Sequence, residues 1–261
     1  NALHCITLSG EMCDIFSSRI KGINTLLSLF KQSALNAYIY TNNGINKLSS
    51  LRNVKNAASM NWLATAEYVS KYIEDIIIID VGSTTTDFMI IKNNKILNKR
   101  VDDFSGLKND ELLYLGCLRT PIYAITNEIK DSKNIYKIIP ENFSSLADIY
   151  QIMKVVNPKD DYSRRLDGRS KTLLNSYKRI SRSFGFDYSN YHKNFVERLC
   201  RKIMNVHIDK MYISLQKIIK KNSYKNNNVK ITSIGVGDQI VENMVKRYNL
   251  KYVDMITILQ N

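Results

Sequence analysis

Paired cysteines are absent from this sequence. Cys5, Cys13, Cys117 and Cys200 are widely scattered with no C-x-x-C spacing, and His4, His192 and His207 do not cluster with them. The pattern argues against a structural zinc site and fits thiols kept reduced in a cytosol, where a buried cysteine serves as a small apolar residue. No electropositive helix start adjoins any of the four, so a thiolate nucleophile is not expected. Long apolar runs are also absent. The longest, residues 76–79, falls far short of the roughly 20 residues that span a bilayer, and a soluble, cytoplasmic protein without membrane contact is expected. No charged-then-apolar leader precedes the first amphipathic segment. The chain starts on Asn1 rather than Met, so the native start is expected to lie upstream. Internal repeats are not evident.

What is present suits a globular protein. At 261 residues, 44% hydrophobic and 24% charged, the chain can form one large two-lobed domain or two small ones. The net charge of +14 is unevenly placed: residues 151–261 carry 22 Lys/Arg against 9 Asp/Glu, whereas residues 1–150 carry 16 against 15. Such asymmetry raises nucleic-acid binding. The basic residues, however, are spread over Lys/Asn/Ile-rich helices with no aromatic stacking motif or DNA-binding module, so a solvated helical surface, or attraction of a phosphorylated substrate, is the preferred reading.

Periodicity gives an alternating order of elements. Apolar residues at helical spacing predict a helix over residues 14–31, then a strand over 37–41, and a second helix over 56–73 containing Trp62. The run DIIIID over 75–80 has the continuous apolar character of a strand buried on both faces. Strands over 86–91 and 95–99 flank Asn93-Asn94, which suits a tight hairpin. Further on, helices are expected over 110–118, 146–155, 170–183 and 191–221, with an exposed loop over 157–169. A strand over 229–234, a turn at Gly235-Val236-Gly237, a helix over 239–248 and a last strand over 251–259 complete an α/β pattern.

The chemistry concentrates in IIIIDVGSTTTDF. A buried strand ends at Asp80, turns through Gly82, Ser83, Thr84 and Thr85, and re-enters a strand after Asp87. Glycine allows close backbone approach to an anion, successive turn N–H groups form an anion-binding concavity, and the hydroxyls add donors. Asp80 and Asp87 repel phosphate directly, so their suited roles are holding Mg²⁺ through water and orienting a nucleophile. A plain hairpin whose hydroxyls cap a turn is the alternative.

Residues 80–87 resemble the second phosphate motif of the superfamily that joins acetate and sugar kinases, heat-shock-seventy proteins and actin, in the form found in hydantoinase/oxoprolinase proteins. Five further blocks resemble the branch of that family involved in methanofuran synthesis and tetrahydromethanopterin-linked one-carbon transfer. They are Thr7-Leu8-Ser9-Gly10-Glu11, residues 61–66 (NWLATA), Leu118-Arg119-Thr120-Pro121, Glu141-Asn142-Phe143 with Ala147-Asp148-Ile149-Tyr150, and Asp167-Gly168-Arg169. Gly235 and Gly237 lie in a segment similar to the superfamily's adenosine-binding turn. Ser9 replaces an expected threonine, and Ser144-Ser145-Leu146 replaces an Ala-Thr run, departures that bear on the substrate pocket. The superfamily's opening phosphate motif is not in the sequence.

The resemblance implies a two-lobed, actin-like (ribonuclease H-like) α/β fold, with residues 1–74 the remnant of the first lobe and 75–261 the second. It implies Glu11 and Asp87 as catalytic carboxylates, and phosphate binding by Gly82, Ser83, Thr84, Thr85 and Arg119. Mg²⁺ would be held by Asp80 and Asp87, and Asn61, Asp167, Arg169, Gly235 and Gly237 would line a nucleotide cleft, with ATP a candidate ligand. The implied activity is a transferase joining an aminomethylfuran-methyl diphosphate to a phenolic amine derived from tyramine. An ATP-dependent ring-opening hydrolase and a non-catalytic nucleotide-binding protein are the alternatives, and a homo-oligomer is compatible with each. The residues have plainer readings too: Glu11 can complement a helix dipole, Arg119 can pair with Glu111, Asp167 and Arg169 can shape a loop, and Trp62 beside Asn61 can be core.

Overall fold

Strand β1 (His4–Ile6) pairs in parallel with β2 (Ala37–Thr41), which pairs antiparallel with β3 (Gly44–Lys47). Helix α1 (Arg19–Ser33) supplies Ile23 and Leu27 to a core shared with Ile6, Ile39, Leu48 and Ala57. The computed structural model describes residues 3–33, 36–224 and 229–260. α1 starts later than the periodicity implies, because residues 10–16 form tight turns: Cys13 N–H donates to the Gly10 carbonyl (3.2 Å) and Phe16 N–H to that of Cys13 (3.0 Å). The helix passes so near this turn that a Cβ on Gly22 would stand 2.2 Å from the Glu11 carbonyl oxygen. The expected helix over 56–73 is likewise cut down to α2 (Asn61–Val69). Asn53 caps a separate 3-10 turn over Val54–Ala57, and Ser59 takes a left-handed φ of +50° between the two.

Strand β4 (Ile76–Val81) opens the second of two compact units, which comprises Ile76–Phe88 and Asp110–Gln260; the first comprises Asn1–Asp75 and Met89–Asn109. Strand β5 (Thr86–Lys92) begins in the second unit and runs on into the first, where it turns at Asn93 and Asn94 (φ +52° and +57°) into β6 (Lys95–Ile96). The division read from the sequence at 74/75 leaves out this return of residues 89–109. The hairpin is tied to the first unit by Asn93 N–H to Asp75 Oδ1 (2.8 Å), Asn94 N–H to the Glu74 carbonyl (3.1 Å) and the Asn94 amide to the Ser70 carbonyl (2.8 Å). Helix α3 (Asp103–Lys108), capped by Asp102, follows there.

In the second unit, β7 (Leu112–Leu113) pairs antiparallel with the start of β5, Thr86 facing Leu113 and Asp87 facing Leu112. A helix over 110–118 therefore does not form. Asp110 takes φ +60°, and Phe88 N–H donates to the Glu111 carbonyl (2.9 Å), so sheet pairing overrides the local helical pattern. Helix α4 (Ile122–Ile125) leads to a hairpin of β8 (Glu128–Asp131) and β9 (Asn134–Lys137), which the sequence reading leaves irregular. Helices α5 (Leu146–Ile152) and α6 (Leu173–Ser183) pack on each other and on α7 (Lys193–Lys221), a 29-residue helix. β10 (Lys230–Ile234) pairs in parallel with β4, and α8 (Asp238–Tyr248) packs across both. β11 (Lys251–Tyr252) is only two residues long; Asp254 then caps helix α9 (Met255–Leu259) by accepting from Ile256 N–H (2.8 Å), which corrects the expected strand over 251–259. The fold is α/β, and no helix among the described residues is long and apolar enough to cross a membrane.

Candidate functional site

The loop between β4 and β5 is closed by Gly82 N–H donating to the Thr85 carbonyl (2.9 Å). Its carbonyls are taken from behind: Cys117 N–H donates to Gly82 O (2.9 Å), while Leu118 N–H (3.1 Å) and Arg119 N–H (2.8 Å) share Ser83 O. Such close backing requires Gly116, where a Cβ would lie 2.4 Å from both the backbone N and the carbonyl carbon of Thr84. The N–H groups of Ser83, Thr84 and Thr85 have no acceptor among the described residues, and all three residues are partly exposed. Three successive amides with their hydroxyls make a concavity suited to an anion. Thr85 Oγ1 donates to Asp87 Oδ2 (3.1 Å).

Gly235 and Gly237 belong to the same cluster. A Cβ on Gly235 (φ +94°) would stand 2.4 Å from Asp80 Oδ1, and one on Gly237 would stand 2.4 Å from Val81 Cγ1. Gly237 N–H donates to the Val81 carbonyl (2.9 Å). These glycines thus let the β10–α8 turn fold over the end of β4. Asp80 lies beneath it with no ion pair among the described residues. Burial, followed by repulsion from Asp87 and Asp238, pushes its carboxyl up to about 7. Asp238 Oδ1 is buried without a hydrogen-bond partner. Surplus buried negative charge of this kind fits a divalent cation. Among the described residues no three His, Cys, Asp or Glu group to hold a metal ion by themselves.

Arg119 leads from the loop to a cavity of about 400 Å³ that Arg164, Arg165, Arg179 and Phe143 also line. The fully buried Asp148 anchors its floor, its Oδ1 accepting from Arg179 Nε (2.9 Å) and Nη2 (2.8 Å) and from Ser176 Oγ (2.7 Å). Arg165 Nη2 bonds Asp161 (2.6 Å), and its Nε stands 3.5 Å from Asp148 without forming a hydrogen bond. Asp167 bonds Arg179 Nη1 (3.4 Å) and accepts from Arg169 N–H (3.0 Å), so it braces this floor, while the Arg169 side chain is exposed. Arg119 and Arg164 are exposed and have no ion pair among the described residues; the alternative pairing of Arg119 with Glu111 is not seen. The sequence reading misses Arg164, Arg165 and Arg179, although Asp161 and Arg165 stand at the i,i+4 spacing of an ion pair.

Behind the loop, the Leu115 carbonyl accepts from Thr86 Oγ1 (2.7 Å) and from His207 Nε2 (3.2 Å), while His207 Nδ1 lies 2.6 Å from the Tyr150 hydroxyl. With Nε2 donating to a carbonyl, the neutral ring accepts from Tyr150 through Nδ1. Nothing in the sequence marks this histidine, which lies within the apolar stripe of α7.

Glu11 and Asn61 belong to the first unit. Glu11 is buried, accepting from Ser59 Oγ (2.5 Å), Arg19 Nη2 (3.1 Å) and Gly10 N–H (3.1 Å). Burial pushes its carboxyl up, but these hydrogen bonds outweigh it and hold the group below the usual range. Asn61 starts α2 beside Trp62, which is buried under the Arg100 guanidinium at 5.4 Å from its ring centre.

Two curated relatives carry the name (4-{4-[2-(gamma-L-glutamylamino)ethyl]phenoxymethyl}furan-2-yl)methanamine synthase. The protein from Methanocaldococcus jannaschii is 27% identical over 250 residues, 94% of this chain and 74% of its own length. The one from Methanococcus vannielii is 30% identical over 178 residues, 68% of this chain and 78% of its own length. Among solved structures, the activator of the 2-hydroxyisocaproyl-CoA dehydratase from Clostridium difficile, with bound ADPNP, is similar over 74% of this chain and 59% of its own. The two chains are 12% identical, with a TM-score of 0.30. The sequence model of the hydantoinase/oxoprolinase family matches residues 4–258, nearly the whole chain, and the chain belongs to that family.

Proposed function

We propose that the protein is a cytoplasmic transferase of methanofuran-type cofactor synthesis. It joins the phenol oxygen of a tyramine derivative to the methylene carbon of an aminomethylfuran-methyl diphosphate. The observation that supports this reading is the β4–β5 loop, with its three unengaged amides and Arg119 beside it, in a chain whose relatives are named for making a phenoxymethylfuran ether. In the reaction, a bond forms from the phenol oxygen to the furan methylene while the bond from that carbon to diphosphate breaks. Diphosphate departs with the electron pair, and the phenolic proton passes to a carboxylate.

The amides and hydroxyls of Ser83, Thr84 and Thr85, with the Arg119 guanidinium, stabilise the charge that gathers on the departing diphosphate. Asp87, oriented by Thr85 Oγ1, serves as the base. Glu11 is the poorer candidate, because its oxygens are already engaged and its carboxyl is held low. Asp80, with Asp87 through water, would hold Mg²⁺, which would supply further charge neutralisation at the diphosphate.

The test is to incubate the protein with the furan diphosphate and a tyramine derivative and to follow diphosphate and ether formation. No diphosphate release from this substrate pair would reject the reading. Family membership favours one second reading, an ATP-dependent hydrolase acting on a cyclic amide or imide, for which ATP consumption dependent on a cyclic imide is the distinguishing result.

A further inference from the structure

The arginine-lined cavity beside the loop is larger and more mixed in character than a diphosphate requires. Phe143 stands among the arginines, with Leu118 and Leu166 beside it, so the cavity combines an apolar wall with cationic ends. Charge accounting separates its arginines into two kinds. Arg165 and Arg179 are buried and committed to Asp148, Asp161 and Asp167, so their work is to shape the floor. Arg119 and Arg164 lie toward solvent with no ion pair among the described residues, and because Arg165, Arg179 and Lys171 balance the three aspartates, both of their positive charges are unmatched. The rim is also fixed in place: Leu146 N–H donates to the Thr120 carbonyl (2.9 Å) and Ile122 N–H to that of Ser144 (3.3 Å), pinning residues 144–146 to the segment that follows Arg119. A ligand that suits this space carries an anionic head at the end of a short carbon chain.

We propose that the cavity is the subsite for a carboxylate-bearing, amino-acid-like group on the phenolic substrate, of the γ-glutamyl class, with Arg164 as the guanidinium that receives the carboxylate. The proposal rests on the transferase reading and goes beyond it by assigning the phenolic partner's remote end to residues that the phosphate loop does not contain. Phe143 and Leu166 cover the methylene chain, and the fork of Arg164 matches a carboxylate in two-point contact.

Calorimetric titration of the full chain with γ-L-glutamyltyramine, tyramine and inorganic diphosphate tests it. γ-L-Glutamyltyramine should bind roughly tenfold or more tightly than tyramine, the scale of a hydrogen bond to a charged group. Arg164→Ala should remove that difference while leaving tyramine and diphosphate unchanged, and Arg164→Lys should restore part of it. Arg164 is exposed, so the variants should fold, which circular dichroism checks. Failure of the wild-type chain to prefer γ-L-glutamyltyramine, or an unchanged preference in Arg164→Ala, overturns the proposal. Loss of diphosphate affinity in that variant overturns it too, and assigns the cavity to the leaving group. These are binding readouts, so absence of diphosphate release from the two substrates would reject the transferase reading without deciding this one.

Discussion

At the scale of single residues, the loop is governed by what stands immediately behind it. Gly116 has no room for a side chain, because the atoms that a Cβ would meet are the Thr84 backbone itself. Gly116→Ala should therefore displace the loop, costing about 1–3 kcal/mol of stability in denaturant unfolding, the range for overpacking, and weakening diphosphate binding in titration. Asp87 is different, since it is partly exposed and accepts from the Thr85 hydroxyl. Asp87→Asn preserves shape and removes the base. Turnover should fall by roughly 10² or more with the melting temperature nearly unchanged. Unchanged turnover would leave Asp87 with a turn-capping role alone. Asp80, Gly82 and Asp87 are legible in the sequence because strand, glycine, hydroxyls and acid are contiguous there. Gly116 and Arg164 are not, because their meaning depends on a chain crossing that no local pattern encodes.

At the scale of elements, strands β2, β4, β5 and β10 follow from apolar continuity, and α7 follows from its stripe, since burial dictates composition there. The misreadings fall where one element's fate depends on another. Residues 112–113 become a strand because β5 offers an edge, and residues 255–259 become a helix because Asp254 caps them. The α5–α6 contact shows a further dependence, since it encloses Asp148 with the guanidinium of Arg179 and has Arg165 beside it. Asp148→Ala would leave those cations buried without their common partner, and the second unit should lose about 3–5 kcal/mol in chemical denaturation. Replacing the pair together, Asp148→Leu with Arg179→Met, should recover most of that loss, because an apolar pair of similar volume carries no desolvation penalty. If the double variant is no more stable than Asp148→Ala, the network contributes through geometry that hydrophobic packing cannot supply.

At the scale of the whole molecule, the response to acid tests how the second unit holds together, because His207 couples three segments: α7, the Leu115 carbonyl behind the loop, and Tyr150 on α5. Its ring is fully buried, and burial lowers its pKa to about 4, against an unfolded value of roughly 6.5. A group whose folded pKa is depressed favours the folded state above the unfolded pKa. Between about pH 6.5 and 4 the unfolded chain binds a proton that the folded chain refuses. That part of the stability is therefore complete at neutral pH and is lost as the pH falls through this window, reaching about 3 kcal/mol at its lower end. The net charge of +14 at neutral pH works in the same direction, since acidification adds positive charge to a chain that already repels itself. Repulsion of that kind is screened by salt, whereas the buried imidazole is insulated from it. Asp80, whose carboxyl is pushed up to about 7 by burial, works the other way over the same range, because there the folded chain binds the extra proton. The imidazole's part is therefore read by difference: in urea unfolding between pH 7 and 4 in high salt, the parent chain should lose about 3 kcal/mol more than His207→Gln, which cannot titrate and should be less stable at pH 7. A difference that salt abolishes, or a pH dependence that is the same in His207→Gln as in the parent chain, would assign acid sensitivity to other charges and deny the buried histidine its part.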